Sequence, residues 1–263
     1  MDFSKLFSLE GKVALITGGS RGIGKMLLEG YLAAGCERVY ITARKREQIA
    51  ETVAEFEGAY PGKVIGLPGD LSQMEDVKRL AAELASRESR LDVLVNNAGA
   101  AWGAPAEDHP LEAWDKVMNL NVRGYFLLSQ RVAKKSMIAR KQGRIINLAS
   151  IAGLGGNPPE MQTIAYNTSK GAVVNFTRAL ACEWGRYGIT VNAICPGFFP
   201  SKMTRGTLEN LGEEKLAAHA PLRRLGDDED LKGITLLYAS DAGKHITGQW
   251  LAVDGGVSVV TGG

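Results

Sequence analysis

Short apolar runs alternate along the chain with longer stretches in which apolar positions recur every three or four residues. Val13-Ala14-Leu15-Ile16 and Val93-Leu94-Val95 are unbroken. A strand reads this way when both of its faces are covered, because successive side chains then meet packed layers on opposite sides. Such runs predict strands over 13–17, 38–43, 64–68, 91–95, 144–148, 190–194 and 250–253. Between the first two, Ile23, Met26, Leu27, Gly30, Tyr31 and Ala34 fall on one helix face. Alternating strands and helices predict an α/β architecture, a doubly wound parallel seven-stranded sheet with helices on both faces. No linker, repeat or low-complexity block interrupts the pattern, so residues 1–263 are expected to form a single domain. Two irregular stretches, 151–164 and 197–226, each follow a strand. In parallel sheets, ligands bind at the carboxyl ends of the strands, so both stretches are candidates to border a site.

Composition narrows the function classes. Lys and Arg number 31 against 29 Asp and Glu. A balance this close to neutral argues against nucleic acid or an anionic membrane as the main partner. No run approaches the length of a membrane span, and residues 1–11 lack the apolar core of a signal peptide. Cys36, Cys182 and Cys195 have no metal-ligand or redox spacing, and they are expected to be buried thiols in a reducing, cytoplasmic setting. His109, His219 and His245 are scattered, so no metal site and no His-based triad is expected. The 32 glycines exceed average usage of about 7% and show no collagen-like period, so some must serve a local purpose.

One such purpose lies directly after the first strand, in Thr17-Gly18-Gly19-Ser20-Arg21-Gly22-Ile23-Gly24. A diphosphate bound at a helix N-terminus needs close backbone approach. Gly18 would permit the tight turn, Gly22 would leave room at the phosphate, and Gly24 would let helix and strand pack closely. The strand–turn–helix setting makes this a dinucleotide-binding candidate. This turn resembles that of the short-chain dehydrogenase/reductase family, and further matches follow in the family's order. They are Asp70-Leu71, Asn96-Asn97-Ala98-Gly99, Asn121, Ser150, Tyr166 with Lys170, Pro196-Gly197 and Asp254-Gly255-Gly256. The resemblance covers nearly the whole chain and implies a Rossmann fold. It also implies cofactor contacts from Gly18, Ser20, Arg21, Gly22, Ile23, Gly24, Arg44, Asp70, Leu71, Asn97, Ala98, Gly99, Tyr166, Lys170, Pro196 and Gly197.

The second strand points to NADP(H) rather than NAD. It ends Thr42-Ala43-Arg44, without the acid that would bond a ribose 2′-hydroxyl. Arg44 and Arg21 instead offer guanidinium forks suited to a 2′-phosphate. Glu47 belongs to the first turn of the next helix.

Tyr166 and Lys170 stand four residues apart, on one face of a helix. An ordinary phenol titrates near 10, and a neighbouring ammonium is expected to lower it. Tyr166 could then serve as acid or base. Ser150 closes the fifth strand and could polarise a carbonyl. Asn121 lies on the stripe Trp114, Val117, Met118, Asn121, Tyr125, Leu128 and must find partners inside the protein. The resemblance implies catalytic roles for Asn121, Ser150, Tyr166 and Lys170, with Asn121 supporting a proton relay behind the lysine. It also implies a mobile substrate lid over 197–226 and a homotetramer. Ser150 and Tyr166 are more widely separated than is usual in the family, and residues 157–162 read as a short insertion bordering the substrate.

On the substrate side, Phe198, Phe199 and Met203 offer apolar contact, while Lys202 and Arg205 could meet an acidic group. With Trp102-Gly103, they resemble the NADPH-dependent β-ketoacyl reductases, which makes a 3-oxoacyl thioester the lead substrate. The alternative is a sugar acid, polyol or small ketone, as in gluconate dehydrogenases. A non-catalytic dinucleotide-binding regulator is the reading from another class. Such proteins usually lose the Tyr or the Lys, and this chain keeps both.

Overall fold

The computed structural model describes residues 2–260. A short helix, α1 (Phe3–Leu6), precedes β1 (Val13–Thr17), α2 (Gly22–Ala33), β2 (Arg38–Thr42) and α3 (Arg46–Glu57). Then come β3 (Val64–Gly66), α4 (Met74–Arg87) and β4 (Val93–Asn96). A long helical rod follows, made of α5 (Leu111–Met118), α6 (Gly124–Val132) and α7 (Ile138–Arg140). Its parts join through π-helical turns at Asn119–Arg123 and Ala133–Met137. β5 (Gly143–Leu148) leads through irregular chain to α8 (Ile164–Trp184) and β6 (Ile189–Pro196). The chain finishes with α9 (Arg205–Leu211), α10 (Glu213–His219), α11 (Lys232–Ala239) and β7 (Trp250–Val253).

All seven strands pair in parallel in the order β3-β2-β1-β4-β5-β6-β7. The direction of winding reverses between β1 and β4, and that reversal opens a crevice at their carboxyl ends. The unbroken apolar run of β1 has the reason the pattern predicted. Ala14 and Ile16 pack with Leu27, Tyr31, Ile41 and Tyr238 on one face. Val13 and Leu15 pack with Leu80, Leu128, Val132 and Leu180 on the other. Each such Val, Leu or Ile side chain, fully buried, contributes roughly 1.5–3 kcal/mol.

The seven expected strands are all present, two with the expected bounds and five with shifted ends. β3 stops at Gly66, ahead of Pro68, which has no amide to donate to the ladder. β6 runs on through Pro196, and all eight of its residues are buried. One expectation about the thiols is corrected. Cys36 and Cys195 are buried, and burial pushes them up to about 12 and about 11. Cys182 is exposed. It lies on the solvent side of α8, whose inner face is taken by Thr177, Leu180 and Ala181. Among the described residues, no helix is long and apolar enough to cross a membrane.

Candidate active site

The glycine turn after β1 is built by close backbone approach. Gly18 has φ +67°, a left-handed conformation that favours glycine. A Cβ at Gly24 would collide with the Gly18 carbonyl and stand 2.6 Å from the Asn97 amide nitrogen. The Gly18 amide donates to the Thr42 carbonyl at 2.7 Å, which ties the turn to the end of β2. Thr52 Oγ1 donates to the Ser20 carbonyl at 3.1 Å from α3.

The loop after β4 is clasped to this turn. Thr17 Oγ1 accepts from the amides of Asn97 at 2.8 Å and Ala98 at 2.9 Å. Asn97 Nδ2 donates back to the carbonyls of Thr17 at 2.8 Å and Gly18 at 3.3 Å. The side chain of Asn97 is thereby occupied in shaping the cradle. Thr17 was not among the sequence candidates, although its place at the strand end beside Gly18 was the signal for it.

α2 opens at Gly22 with no side-chain cap on its first amides. Such a helix end is a ready anion site. Arg21 and Arg44 are both exposed at this edge, where Thr17 and Thr42 stand in register. Neither guanidinium forms an ion pair among the described residues. Glu47 lies in the first turn of α3. Asp70 accepts from the amide and hydroxyl of Ser72 at 3.0 and 2.7 Å, while Leu71 is buried beneath the same loop. Bare amides, a turn too tight for a Cβ and two unpaired cations fit a dinucleotide bearing an additional phosphate.

The catalytic candidates gather at the carboxyl ends of β4 to β6. Ser150 lies just beyond β5 in extended backbone and caps the turn Ile151–Gly153, accepting from the Ala152 amide at 3.2 Å. Its hydroxyl neighbours the Tyr166 phenol closely enough to draw the phenol's pKa down. Tyr166 and Lys170 come from the first turns of α8, with the ammonium 5.5 Å from the centre of the tyrosine ring. Lys170 is buried and donates to the Leu148 carbonyl at 2.6 Å. Desolvation pulls its ammonium down to about 8. Pro196 closes β6, and the Gly197 amide donates to the Val253 carbonyl at 2.9 Å.

The direction expected for Tyr166 is corrected. Burial pushes its phenol above the ordinary value, and the neighbouring Ser150 hydroxyl pulls it only partly back. Lys170 stands over the ring face and gives its short bond to the Leu148 carbonyl, and its charge does not outweigh that burial.

Asn121 is fully buried inside the π-helical turn. Its Oδ1 accepts from the Ala100 amide at 2.8 Å. Its Nδ2 donates to the Ala100 carbonyl and to Ser169 Oγ, each at 2.9 Å. Ser169 Oγ in turn donates to the Tyr166 carbonyl at 2.7 Å. The amide is therefore satisfied by holding the loop after Gly99 against α8. Ser169 also escaped the sequence reading, since its value comes only from contact across the fold.

On the substrate side, residues 157–163 form a knotted loop. Asn157 Nδ2 donates to Thr163 Oγ1 and to Asn167 Oδ1 at 3.0 and 3.1 Å. The Ala104 amide donates to the Gln162 carbonyl at 2.9 Å, joining this loop to the one after β4. Phe199 corrects the expectation of two lid aromatics facing substrate. It is 4% exposed and packs in the sheet core, against Gly226. Lys202, Met203 and Arg205 are exposed.

Comparison with known proteins gives this geometry its family. The model of the short chain dehydrogenases matches residues 12–212. A rhamnolipid-biosynthesis 3-oxoacyl-[acyl-carrier-protein] reductase of Pseudomonas aeruginosa is 41% identical over 254 residues, covering 95% of this chain and 97% of that one. The solved Pseudomonas aeruginosa RhlG/NADP active-site complex superposes with TM-score 0.88 at 41% identity, covering 97% of this chain and 99% of that one. A gluconate 5-dehydrogenase from Burkholderia cenocepacia, solved with NADP and tartrate, superposes with TM-score 0.91 at 32% identity over 98% and 99% of the two chains. The family model spans most of the chain and the relative is similar over nearly its full length, so the chain belongs to the short-chain dehydrogenase family.

Proposed function

We propose that the protein reduces a ketone to a secondary alcohol using NADPH, with a 3-oxoacyl thioester as lead substrate. One observation carries this reading. The hydroxyls of Ser150 and Tyr166 meet beside a buried Lys170 at the edge of a dinucleotide cradle. When bound, NADPH supplies the hydride. Gly18, Ser20, Gly22, Ile23 and Gly24 form its phosphate cradle, with Asn97, Ala98, Gly99, Pro196 and Gly197 along the crevice. Asp70 and Leu71 flank the adenine end, and Arg21 and Arg44 meet the 2′-phosphate.

Ser150 and Tyr166 hold the carbonyl oxygen, and Tyr166 donates its proton as that oxygen becomes a hydroxyl. A phenol held above its ordinary value stays protonated near neutrality, which suits an acid. Lys170 orients ribose hydroxyls and keeps positive charge near the reacting oxygen. Asn121 fixes the distance between the loop after β4 and α8. Residues 197–226 form the substrate lid of a single catalytic unit.

The side chains at the mouth favour an acyl substrate over a polyhydroxy acid. Trp102, Ile164 and Met203 are all exposed, on the three segments that border the crevice. Acyl carriers are acidic, and exposed Lys202 and Arg205 on the lid suit them. The gluconate 5-dehydrogenase match supports a sugar acid as the second reading.

Exposed Trp250 and Leu251 on the unpaired edge of the sheet support a homo-oligomer, for which we propose a tetramer. Three free thiols suit a cytoplasmic setting.

NADPH oxidation, followed against acetoacetyl thioesters, keto-gluconates and diketones, tests the proposal. The thioester is expected to give the highest kcat/KM. Preference for a keto-gluconate would replace the lead substrate, and no oxidation with any carbonyl would favour a non-catalytic regulator. Light scattering reports the stoichiometry.

A further inference from the structure

Lys170 presents a physical problem. Its side chain is buried, with the residue 4% exposed, and it forms no ion pair among the described residues. An ammonium in such a place tends to lose its proton. The groups that face it are few. From its own helix comes the ring of Tyr166. From β5 comes the Leu148 carbonyl, at 2.6 Å, with Ser150 just beyond the strand beside the Tyr166 phenol. From β6 comes the Cys195 thiol, which burial keeps protonated at neutral pH. Asp254, after β7, acts on that thiol. Asn121 contributes only a neutral amide, already satisfied.

The remaining neighbour is Tyr125, in the first turn of α6. It is wholly buried, and the Lys170 ammonium lies 5.9 Å from the centre of its ring. Tyr125 packs with Ala149, Val173, Val174, Ala193 and Cys195, so its ring cannot turn away. Its hydroxyl lies 3.4 Å from the Leu148 carbonyl, the oxygen that Lys170 also bonds. The π-helical turn Asn119–Arg123 directly precedes it and sets the direction from which the ring meets the lysine.

We propose that Tyr125 is a positioning residue for Lys170, its ring face taking the place of a counter-ion. The negative face of an aromatic ring attracts a cation without carrying net charge. A carboxylate at this point would hold the ammonium but cancel its field at the reacting oxygen. A ring supports the charge and leaves the field in place. Tyr125 touches neither substrate nor cofactor, and it acts through Lys170. The inference rests on the reading of Lys170 as part of the reductase site, but its test does not depend on turnover.

The experiment is an NMR titration of the full chain labelled with lysine carrying 13C at Cε, the Lys170 signal being assigned with Lys170→Met. In Tyr125→Phe the ring remains, and the Lys170 midpoint is expected to stay where it is. In Tyr125→Leu the midpoint is expected about one unit lower. The alkaline limb of ketone reduction should move with it, through kcat, while KM for the ketone holds. An unchanged midpoint in a folded Tyr125→Leu, or one raised by water entering the vacated space, overturns the proposal. Should Tyr125→Leu fail to fold, phenylalanines bearing one, two or three fluorines at position 125 keep the ring's shape while weakening its face. The midpoint should then step downward with each fluorine, and the absence of a trend overturns the proposal. A midpoint that moves in a protein without reductase activity would uphold this inference while removing the proposed function.

Discussion

The two walls of the crevice are built on different principles. The cofactor wall is a matter of backbone. Thr17, Gly18, Asn97 and Ala98 are laced by four hydrogen bonds of 2.8 to 3.3 Å, and Gly24 touches the turn so closely that no Cβ fits. The substrate wall is a matter of side chains. Trp102, Ile164 and Met203 stand partly in solvent, and residues 197–226, proposed as the lid, carry two helices of seven residues each. Change in the backbone turn of the first wall must disturb the fold, because a carbonyl or an amide loses its place. Change on the second wall alters what is touched and leaves the core alone. Such a division lets one scaffold keep one cofactor while its substrates vary.

Four predictions test that division. The largest effect belongs to neither wall. Tyr166→Phe removes the proton donor at the junction and should lower kcat about a thousandfold. NADPH binding, followed by fluorescence, should stay near wild type, because the phenol is not needed to hold the cofactor. A variant that keeps wild-type kcat would remove Tyr166 as the acid.

Gly24→Ala attacks the cofactor wall. The methyl group meets the Gly18 carbonyl, and the helix must shift. A cost of about 2–3 kcal/mol is expected, visible as a Tm lower by roughly 5–10 °C together with weaker NADPH binding. Loss of affinity with an unchanged Tm would show that the turn is less rigid than its contacts imply.

Arg44→Asp sharpens the picture, since Arg44 sits on the cofactor wall yet is exposed. It should change cofactor choice without changing stability. The ratio of kcat/KM for NADPH over NADH should fall about tenfold to a hundredfold, as expected for loss of a charge-assisted bond and arrival of a like charge. An unchanged ratio would remove Arg44 from the 2′-phosphate site.

The smallest effect is expected from Met203→Ala on the substrate wall. KM for a long-chain 3-oxoacyl thioester should rise about threefold to tenfold, with Tm unchanged and no effect on a short diketone. A falling Tm would mean that the lid is part of the core after all.

The pH dependence also follows from the junction. Desolvation brings Lys170 down to about 8, so it is an ammonium below that pH and a neutral amine above it. Burial moves Tyr166 the other way, so the phenol keeps its proton over the same range. Ketone reduction should therefore be steady below about 8 and fall above it, as the lysine charge is lost. Alcohol oxidation, which needs the phenolate as base, should be favoured toward alkaline pH. A reduction rate that is flat through pH 9 would contradict this ordering.

What the sequence determined is whatever is local along the chain. Val13 to Thr17 had to be a covered strand, because unbroken apolar residues suit no half-exposed element. Thr17 to Gly24 had to be a tight turn into a helix, and a separation of four residues put Tyr166 and Lys170 on one face. What only the tertiary structure decided is whatever depends on neighbours distant in the chain. Nothing local marks the π-helical turn that buries Asn121 and delivers Tyr125 to Lys170. The helical stripe announced Tyr125 as a core residue but not what it would touch. Periodicity gives each residue a side of its own element, and packing then decides the partner. For that reason Phe199 went to the core, Cys182 to solvent, and the amide of Asn97 to the carbonyls of the turn. The same holds for the sign of the Tyr166 shift. Sequence spacing supplied the ammonium, but burial, which only the fold decides, determined which charge state the phenol prefers.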